Sequence, residues 1–261
     1  RARKLVLRNN GIKQRYYAME KGGKLTHTNA QIAFEAVKGL AGNGIELKDF
    51  EVLAAGTSSP DQFMPSHASQ VHGYMPHPME IISPSGACCA GMGALKYAHM
   101  SVASGNSRNA VAVGSELLSP MMLSRNFESE AERIGQLEAN PMIAFEKEFL
   151  RWMLSDGSGA MLLENKPRGE CDLQVEWVVS KSFAHELETC MYFGGEKDAE
   201  GDFRGWKTYS AEELAPNAIM SMKQDTRLLG KHMCQFAVKW LAEVLEEKKV
   251  DIDTVDHFMP H

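Results

Sequence analysis

Apolar runs alternate with helix-like stretches along most of this chain. The run 50–56 is continuously apolar after Glu51 and leaves through Gly56, the pattern of a strand buried on both faces. A short helix is expected over 65–74, with Pro65 acceptable in its first turn. A short strand at 80–82 leads into a turn of small residues. The stretch 89–104 is small and apolar on most faces and is followed by Gly105, so it predicts a buried helix with a glycine stop. A second buried strand is expected over 109–114, and further strands over 160–164 and 173–180. Residues 223–248 predict a long helix, amphipathic towards its end, before 256–259 returns to strand. This alternation indicates an α/β fold rather than a helical bundle or a sandwich.

One interval breaks the rhythm. From 124 to 154 the chain becomes charged and helical-looking, with Glu128, Glu130, Glu132, Arg133, Glu146, Lys147 and Glu148. Two readings stand side by side: a cap over a substrate entrance or dimer interface, or an exposed decoration. No low-complexity tract or short-period repeat occurs.

Composition narrows the function classes. A net charge of -6 argues against general nucleic-acid binding, which needs a basic surface to displace counterions. No stretch approaches the roughly 20 apolar residues that cross a bilayer, and no signal-peptide pattern opens the sequence. Five cysteines without metal-ligand spacing read as thiols of a reducing compartment, so a cytoplasmic location is expected. Sixteen methionines, Met64, Met92, Met121, Met122 and Met142 among them, suit either plain core filling or a site for a flexible apolar ligand.

Chemistry concentrates at Ser85-Gly86-Ala87-Cys88-Cys89-Ala90-Gly91-Met92-Gly93, where a strand-like stretch gives way to a helical one. Unpaired N–H groups and the dipole at a helix start favour a thiolate. Ala87, Ala90 and Gly91 leave room for an electrophilic carbonyl beside the thiol, and the Cys89 N–H could form half of an oxyanion hole. The alternative is a small core cysteine, and Cys88 is the competing thiol. His261, at the other end of the sequence, could complete a cysteine/histidine acyl-transfer site; its alternative is a solvent-facing histidine. His67, His72, His77, His99 and His257 read as structural or surface residues. Asp156-Gly157-Ser158-Gly159 lacks the order of a phosphate loop and reads as a tight turn where backbones approach.

These motifs carry a resemblance. Ala87-Cys88-Cys89-Ala90-Gly91-Met92 is similar to the nucleophile turn of the β-ketoacyl-ACP synthase III family of the thiolase superfamily. Asp156-Gly157-Ser158-Gly159-Ala160 resembles its glycine-rich Gly-Asp-Gly-Ala-Gly-Ala segment. Phe258-Met259-Pro260-His261 looks like the start of its Pro-His-Gln-Ala-Asn segment, and Asn10-Gly11-Ile12 with Arg15 matches its N-terminal Thr-Gly-Ile-x-x-Arg. The four occur in the family's order and roughly its spacing.

The resemblance implies a thiolase-like, internally duplicated five-layer αβαβα fold, incomplete here at both ends. Residues 1–165 would be the first half, with the insertion near 124–154. Residues 166–261 would begin the second. Nothing before Arg1 supplies the family's first strand and hairpin, and its last stretch has no counterpart after His261, so a piece of a longer protein is expected. The implied enzyme is a homodimeric acyltransferase without metal or redox cofactor, served by acyl carrier protein and acyl-CoA or acyl-ACP thioesters. Cys89 takes the nucleophile position. His261 would polarise a malonyl thioester carbonyl, beside an asparagine expected beyond residue 261. Met64 matches a position that lines the partner's acyl pocket, with an ordinary core methionine as its alternative. Gly91 and Met92 would flank the substrate. Arg8 and Arg15, with Lys13, Arg227 and Lys231, could form a basic rim for an acidic carrier, unless they are scattered surface cations.

Some positions depart from the family. Leu5 and Asn9 stand where it grips the adenine nucleotide of a primer CoA, and Gln235 replaces a lysine. An acetyl-CoA primer is thereby disfavoured. The alternatives are a ketosynthase/cyclase joining β-ketoacyl thioesters towards dialkylresorcinol-type products, a non-catalytic partner subunit, and simple acyl transfer or thioester hydrolysis.

Overall fold

The computed structural model of the protein describes residues 7–8, 10–128, 150–198 and 200–259. Most of the charged interval, together with Met142, Leu5, Asn9 and His261, lies outside these residues.

The centre is a four-stranded sheet built from β1 (Val52–Gly56), β2 (Glu80–Ile82), β3 (Asn109–Glu116) and β4 (Gly157–Glu164), in the order β2-β1-β3-β4. The first three strands run parallel; β4 pairs antiparallel with β3 along its whole length, from Asn109 opposite Glu164 to Glu116 opposite Gly157. Helices α1 (Asn29–Lys38) and α2 (His67–His72) cover one face, and α3 (Ala90–Ala103) covers the other.

The apolar runs of β1 and β3 are continuous because both faces are covered. Leu53, Ala55, Val111 and Val113 point to Ala33 and Val37 of α1 and Ala68 and Val71 of α2. Their neighbours Val52, Ala54, Ala110 and Ala112 point to Ala94, Ala98 and Val102 of α3. The α3 face is nearly all alanine, so that helix lies close on the sheet. Fully buried Phe50, Leu53 and Val37 anchor the other face, each burial contributing about 1.5–3 kcal/mol.

Capping sets where α1 begins. Thr28 and Gln31 form a reciprocal capping box, and the Asp61 carboxylate accepts the Asn29 and Ala30 N–H groups at 2.8 and 2.9 Å. The orphan donors of the first turn are thereby paired beside a charge that suits the helix dipole.

Beyond β4 the described residues build smaller units. These are β5 (Met191–Tyr192) paired with β8 (Lys223–Gln224), the β6 (Gly195–Lys197) and β7 (Phe203–Gly205) hairpin, α4 (Ala211–Leu214), and the long α5 (Thr226–Lys248). The Lys223 ammonium is buried; it pairs with Glu196 and donates to the Gly195 carbonyl, tying β8 to the hairpin.

Several expectations need correction. The helix over 65–74 is shorter: Ser66 caps it through the Ser69 N–H, and Pro65, after a cis peptide bond, stands outside its first turn. The expected turn at 157–159 is the start of β4; its glycines are extended, and none approaches another backbone closely. The long helix starts three residues late, at Thr226, because Asp225 accepts the Arg227 and Leu228 N–H groups and so becomes the cap. Segments 173–180 and 256–259 form no strand. Neither has a ladder partner among the described residues, and Leu173 and Met259 are 94% and 90% exposed.

Candidate active site

The cysteine turn sits where β1 and β3 end. Gly56 closes β1 and lies directly under the start of α3: a Cβ there would stand 2.2 Å from the Ala90 carbonyl oxygen. Gly114 near the end of β3 faces Gly91, and a Cβ on Gly114 would meet the Gly91 Cα at 3.1 Å. Both strands therefore carry a glycine where the first turn of α3 crosses them. Helix start and strand ends meet closely, the usual place for ligands in α/β sheets.

The turn itself is strained. Gly86 has φ 150° and Ala87 has φ 48°, a left-handed conformation that alanine rarely adopts. A single 3₁₀ turn, Ala87–Cys89, follows, and Cys89 caps α3 without a side-chain hydrogen bond of its own. Strain of this kind, two residues before a candidate nucleophile, is typical of functional sites.

Cys88 and Cys89 are both exposed. Atoms crowded around the Cys88 sulfur push its thiol above the ordinary range, with lesser contributions from Cys89, Glu116 and Cys190. Residue exposure and local desolvation point different ways for Cys88; the desolvation acts on the sulfur itself and matters for ionisation. The Cys88 thiolate is thereby disfavoured. The Cys89 N–H, expected to stand free as an oxyanion donor, instead donates to the Gly86 carbonyl at 3.1 Å within the 3₁₀ turn.

A buried polar network underlies the turn. The Glu116 carboxylate accepts from the Ser58 N–H at 2.7 Å and from the Ser59 and Thr57 hydroxyls. Asn29, fully buried, donates to the Thr57 hydroxyl at 2.9 Å and the Ser59 carbonyl at 2.8 Å. His67, also buried, bonds Ser115 through Nε2 at 2.9 Å. Burial drives the His67 imidazole towards its neutral form, only partly opposed by Asp61. Sequence reading found none of this network. Its members are single polar residues in apolar or loop context, and a polar residue within a buried strand end, such as Ser115-Glu116, was the available signal.

Asp156 is a second hub. Its buried carboxylate accepts from the N–H groups of Ala18, Leu118 and Ser119 and from the Ser119 hydroxyl, at 2.6–2.9 Å. It joins the N-terminal segment to the exit of β3. Beside it, Leu118, Met121, Met122, Leu150, Leu154 and Met222, with Arg151, line a methionine-rich, mostly apolar pocket.

The other candidates fall as follows. Gly91 and Met92 lie in the first turn of α3 with Cys89; Gly91 is packed on Gly114, and Met92 is 54% exposed. Met64 is 84% exposed, so it is not a core methionine of this chain, and Phe63 beside it stacks on Trp206 at 5.8 Å. Arg8 is exposed. Arg15 is half-buried: it donates to the Arg151 carbonyl at 2.5 Å and lies over the Tyr17 ring, an arrangement that ties it to the fold. Among the described residues no cluster of His, Cys, Asp and Glu could hold a metal ion, and no helix is long and apolar enough to cross a membrane.

Comparison with solved structures defines the fold. The chain superposes on AbyA1, a tetronic acid condensing enzyme, with a TM-score of 0.65 at 19% identity, covering 93% of this chain and 66% of that one. A 3-oxoacyl-(acyl-carrier-protein) synthase III gives a TM-score of 0.61 at 15% identity over 97% and 68% of the two chains. Xanthomonas campestris OleA, solved with lauric acid and lauroyl-CoA, gives 0.60 at 17% identity over 98% and 70%. The fold is the thiolase-like fold of these proteins. No family model matches the chain. Curated relatives match along nearly all of it: the β-ketoacyl-[acyl-carrier-protein] synthase III of Clostridium perfringens strain ATCC 13124 is 24% identical over 257 residues, and that of Rickettsia massiliae is 23% identical over 252. The chain is a distant relative of the β-ketoacyl-ACP synthase III family. It spans 66% and 65% of the length of these two relatives.

Proposed function

We propose that this chain carries the nucleophile of a ketoacyl synthase III-type condensing enzyme. An acyl thioester delivers its acyl group to the Cys89 sulfur, releasing the carrier thiol. A malonyl-ACP then loses carbon dioxide, and the resulting enolate carbon attacks the acyl-Cys89 carbonyl. The new carbon–carbon bond forms as the Cys89 thiolate leaves, giving a β-ketoacyl-ACP and the free enzyme. His261 and the expected asparagine would stabilise the enolate oxygen.

The observation that carries this reading is the exposed Cys89 on its strained turn at the start of α3. A partly desolvated Cys88 beside it supports the assignment. The exposed Phe63 and Met64 support a homodimer in which this loop reaches a second copy. A second reading, a ketosynthase/cyclase joining β-ketoacyl thioesters, is favoured by Leu5 and Asn9 where the family grips a primer CoA.

Intact-protein mass spectrometry tests the proposal, with wild type and Cys89→Ala incubated with a panel of acyl-CoA and acyl-ACP thioesters. The expected result is an acyl adduct on the wild type that Cys89→Ala lacks, while Cys88→Ala still acylates. The best donor then separates the two readings: acyl groups without a β-keto group favour the first, β-ketoacyl groups the second. No adduct from any donor would overturn both.

A further inference from the structure

Gly56 and the loop 57–59 that follows it hold the cysteine turn on three sides. The Gly56 Cα sits under the Ala90 carbonyl, after the turn. The Thr57 N–H donates to the Pro84 carbonyl at 3.3 Å, before it. The Ser58 hydroxyl donates to the Ala87 carbonyl at 3.0 Å, within it. That loop is itself fixed by Glu116, which accepts the Ser58 N–H and the Ser59 and Thr57 hydroxyls; the Ser59 hydroxyl in turn accepts the Leu117 N–H at 3.0 Å.

We propose that Glu116 and Ser58 are positioning residues for the nucleophile turn, holding Ala87 left-handed so that Cys89, rather than Cys88, is the reactive thiol. The chain of contact is short: carboxylate to Ser58 backbone, Ser58 hydroxyl to Ala87 carbonyl, Ala87 to the 3₁₀ turn that ends on Cys89. An alanine left to itself avoids this conformation. The hydrogen bond to its carbonyl is comparable in strength to that preference, so its loss lets the turn rewind. Rewinding removes Cys89 from the cap of α3 and so from its exposed place at the helix start.

The inference rests on the proposed role of Cys89 but is tested without it. The protein is alkylated with iodoacetamide over time, and modification at Cys88 and Cys89 is quantified by peptide mapping. Exposed Cys171 and Cys234 serve as internal standards. In Ser58→Ala the Cys89-to-Cys88 ratio should fall about five- to tenfold, the effect of one lost hydrogen bond. Cys234 should react as before, and Ser58→Thr should restore the ratio. Glu116→Gln should lower it in the same direction. A Ser58→Ala protein with the wild-type ratio overturns the proposal, and it decides the matter even where Glu116→Gln fails to fold. Thioester acylation is measured in parallel. If no thioester acylates the wild type, the condensing reading fails while the alkylation ratio still judges the clamp.

Discussion

Gly56 offers the sharpest test of how this fold builds its site. Its Cβ, if present, would stand 2.2 Å from the Ala90 carbonyl oxygen, 2.5 Å from the Ala90 carbonyl carbon and 3.0 Å from the Gly91 nitrogen. All three are backbone atoms of the first turn of α3, so no side chain can swing away. The oxygen lies more than an ångström inside ordinary contact, and α3 is pinned on the same side by Ala94 and Ala98 against β1 and β3. Gly56→Ala must therefore push the helix start outward or distort β1. Overpacking of this kind costs roughly 2–3 kcal/mol, or a Tm drop of about 5–10 °C for a chain of this size. Gly157→Ala is the matched control: Gly157 opens β4 with no heavy atom within 4 Å of its added Cβ and without a left-handed φ. Thermal unfolding followed by circular dichroism should show Gly56→Ala well below the wild type and Gly157→Ala within about 2 °C of it. Iodoacetamide labelling of Cys89 should change in the first variant and stay unchanged in the second. Equal melting of both variants with the wild type would refute the close crossing of α3 over β1.

Two further predictions concern the buried polar groups. Asp156→Asn replaces an acceptor of four hydrogen bonds with a group that must aim an NH₂ at other donors; a loss of roughly 3 kcal/mol is expected in urea unfolding, and an unchanged midpoint would remove Asp156 as the hub joining the N-terminal segment to β3. His67 has a folded-state pKa below its ordinary value near 6.5, so the unfolded chain binds more protons in that range, and stability should fall as pH drops below about 6.5. Urea midpoints at pH 7.5 and 5.5 should show this slope in the wild type and a smaller one in His67→Gln; equal slopes would sink the assignment.

Much of the central sheet was legible because its signals are local. The runs around Val52–Gly56 and Asn109–Glu116 announce strands buried on both faces, and the small residues of Ala90–Ala103 announce a helix that can lie close to them. The cysteine turn was legible for the same reason. The glycines at 157 and 159 were misread because glycine marks both turns and strands with little side-chain packing; only the pairing with β3 decides between them. Segments 173–180 and 256–259 failed differently. A strand is a property of a pair, and apolar alternation such as Leu173, Val175 and Trp177 says nothing about whether a partner is at hand. The network of Asn29, Thr57, Ser59 and Glu116 was invisible because each residue is ordinary alone, and long-range register brings them together.

The same contrast explains how two adjacent thiols come to differ. Cys88 and Cys89 share neighbours in sequence, and composition cannot separate them. Backbone geometry can. Gly86 and the left-handed Ala87 turn the chain so that Cys89 caps α3, while Cys88 faces the crowding that raises its pKa near Glu116 and Cys190. Neither effect requires a special residue at either cysteine. Both require that the turn be held from outside, by a loop that leaves β1 and a carboxylate that ends β3. On the proposed clamp, reactivity at this turn is set by strand ends remote in sequence, and variants at Ser58 or Glu116 should alter which thiol reacts without altering either thiol.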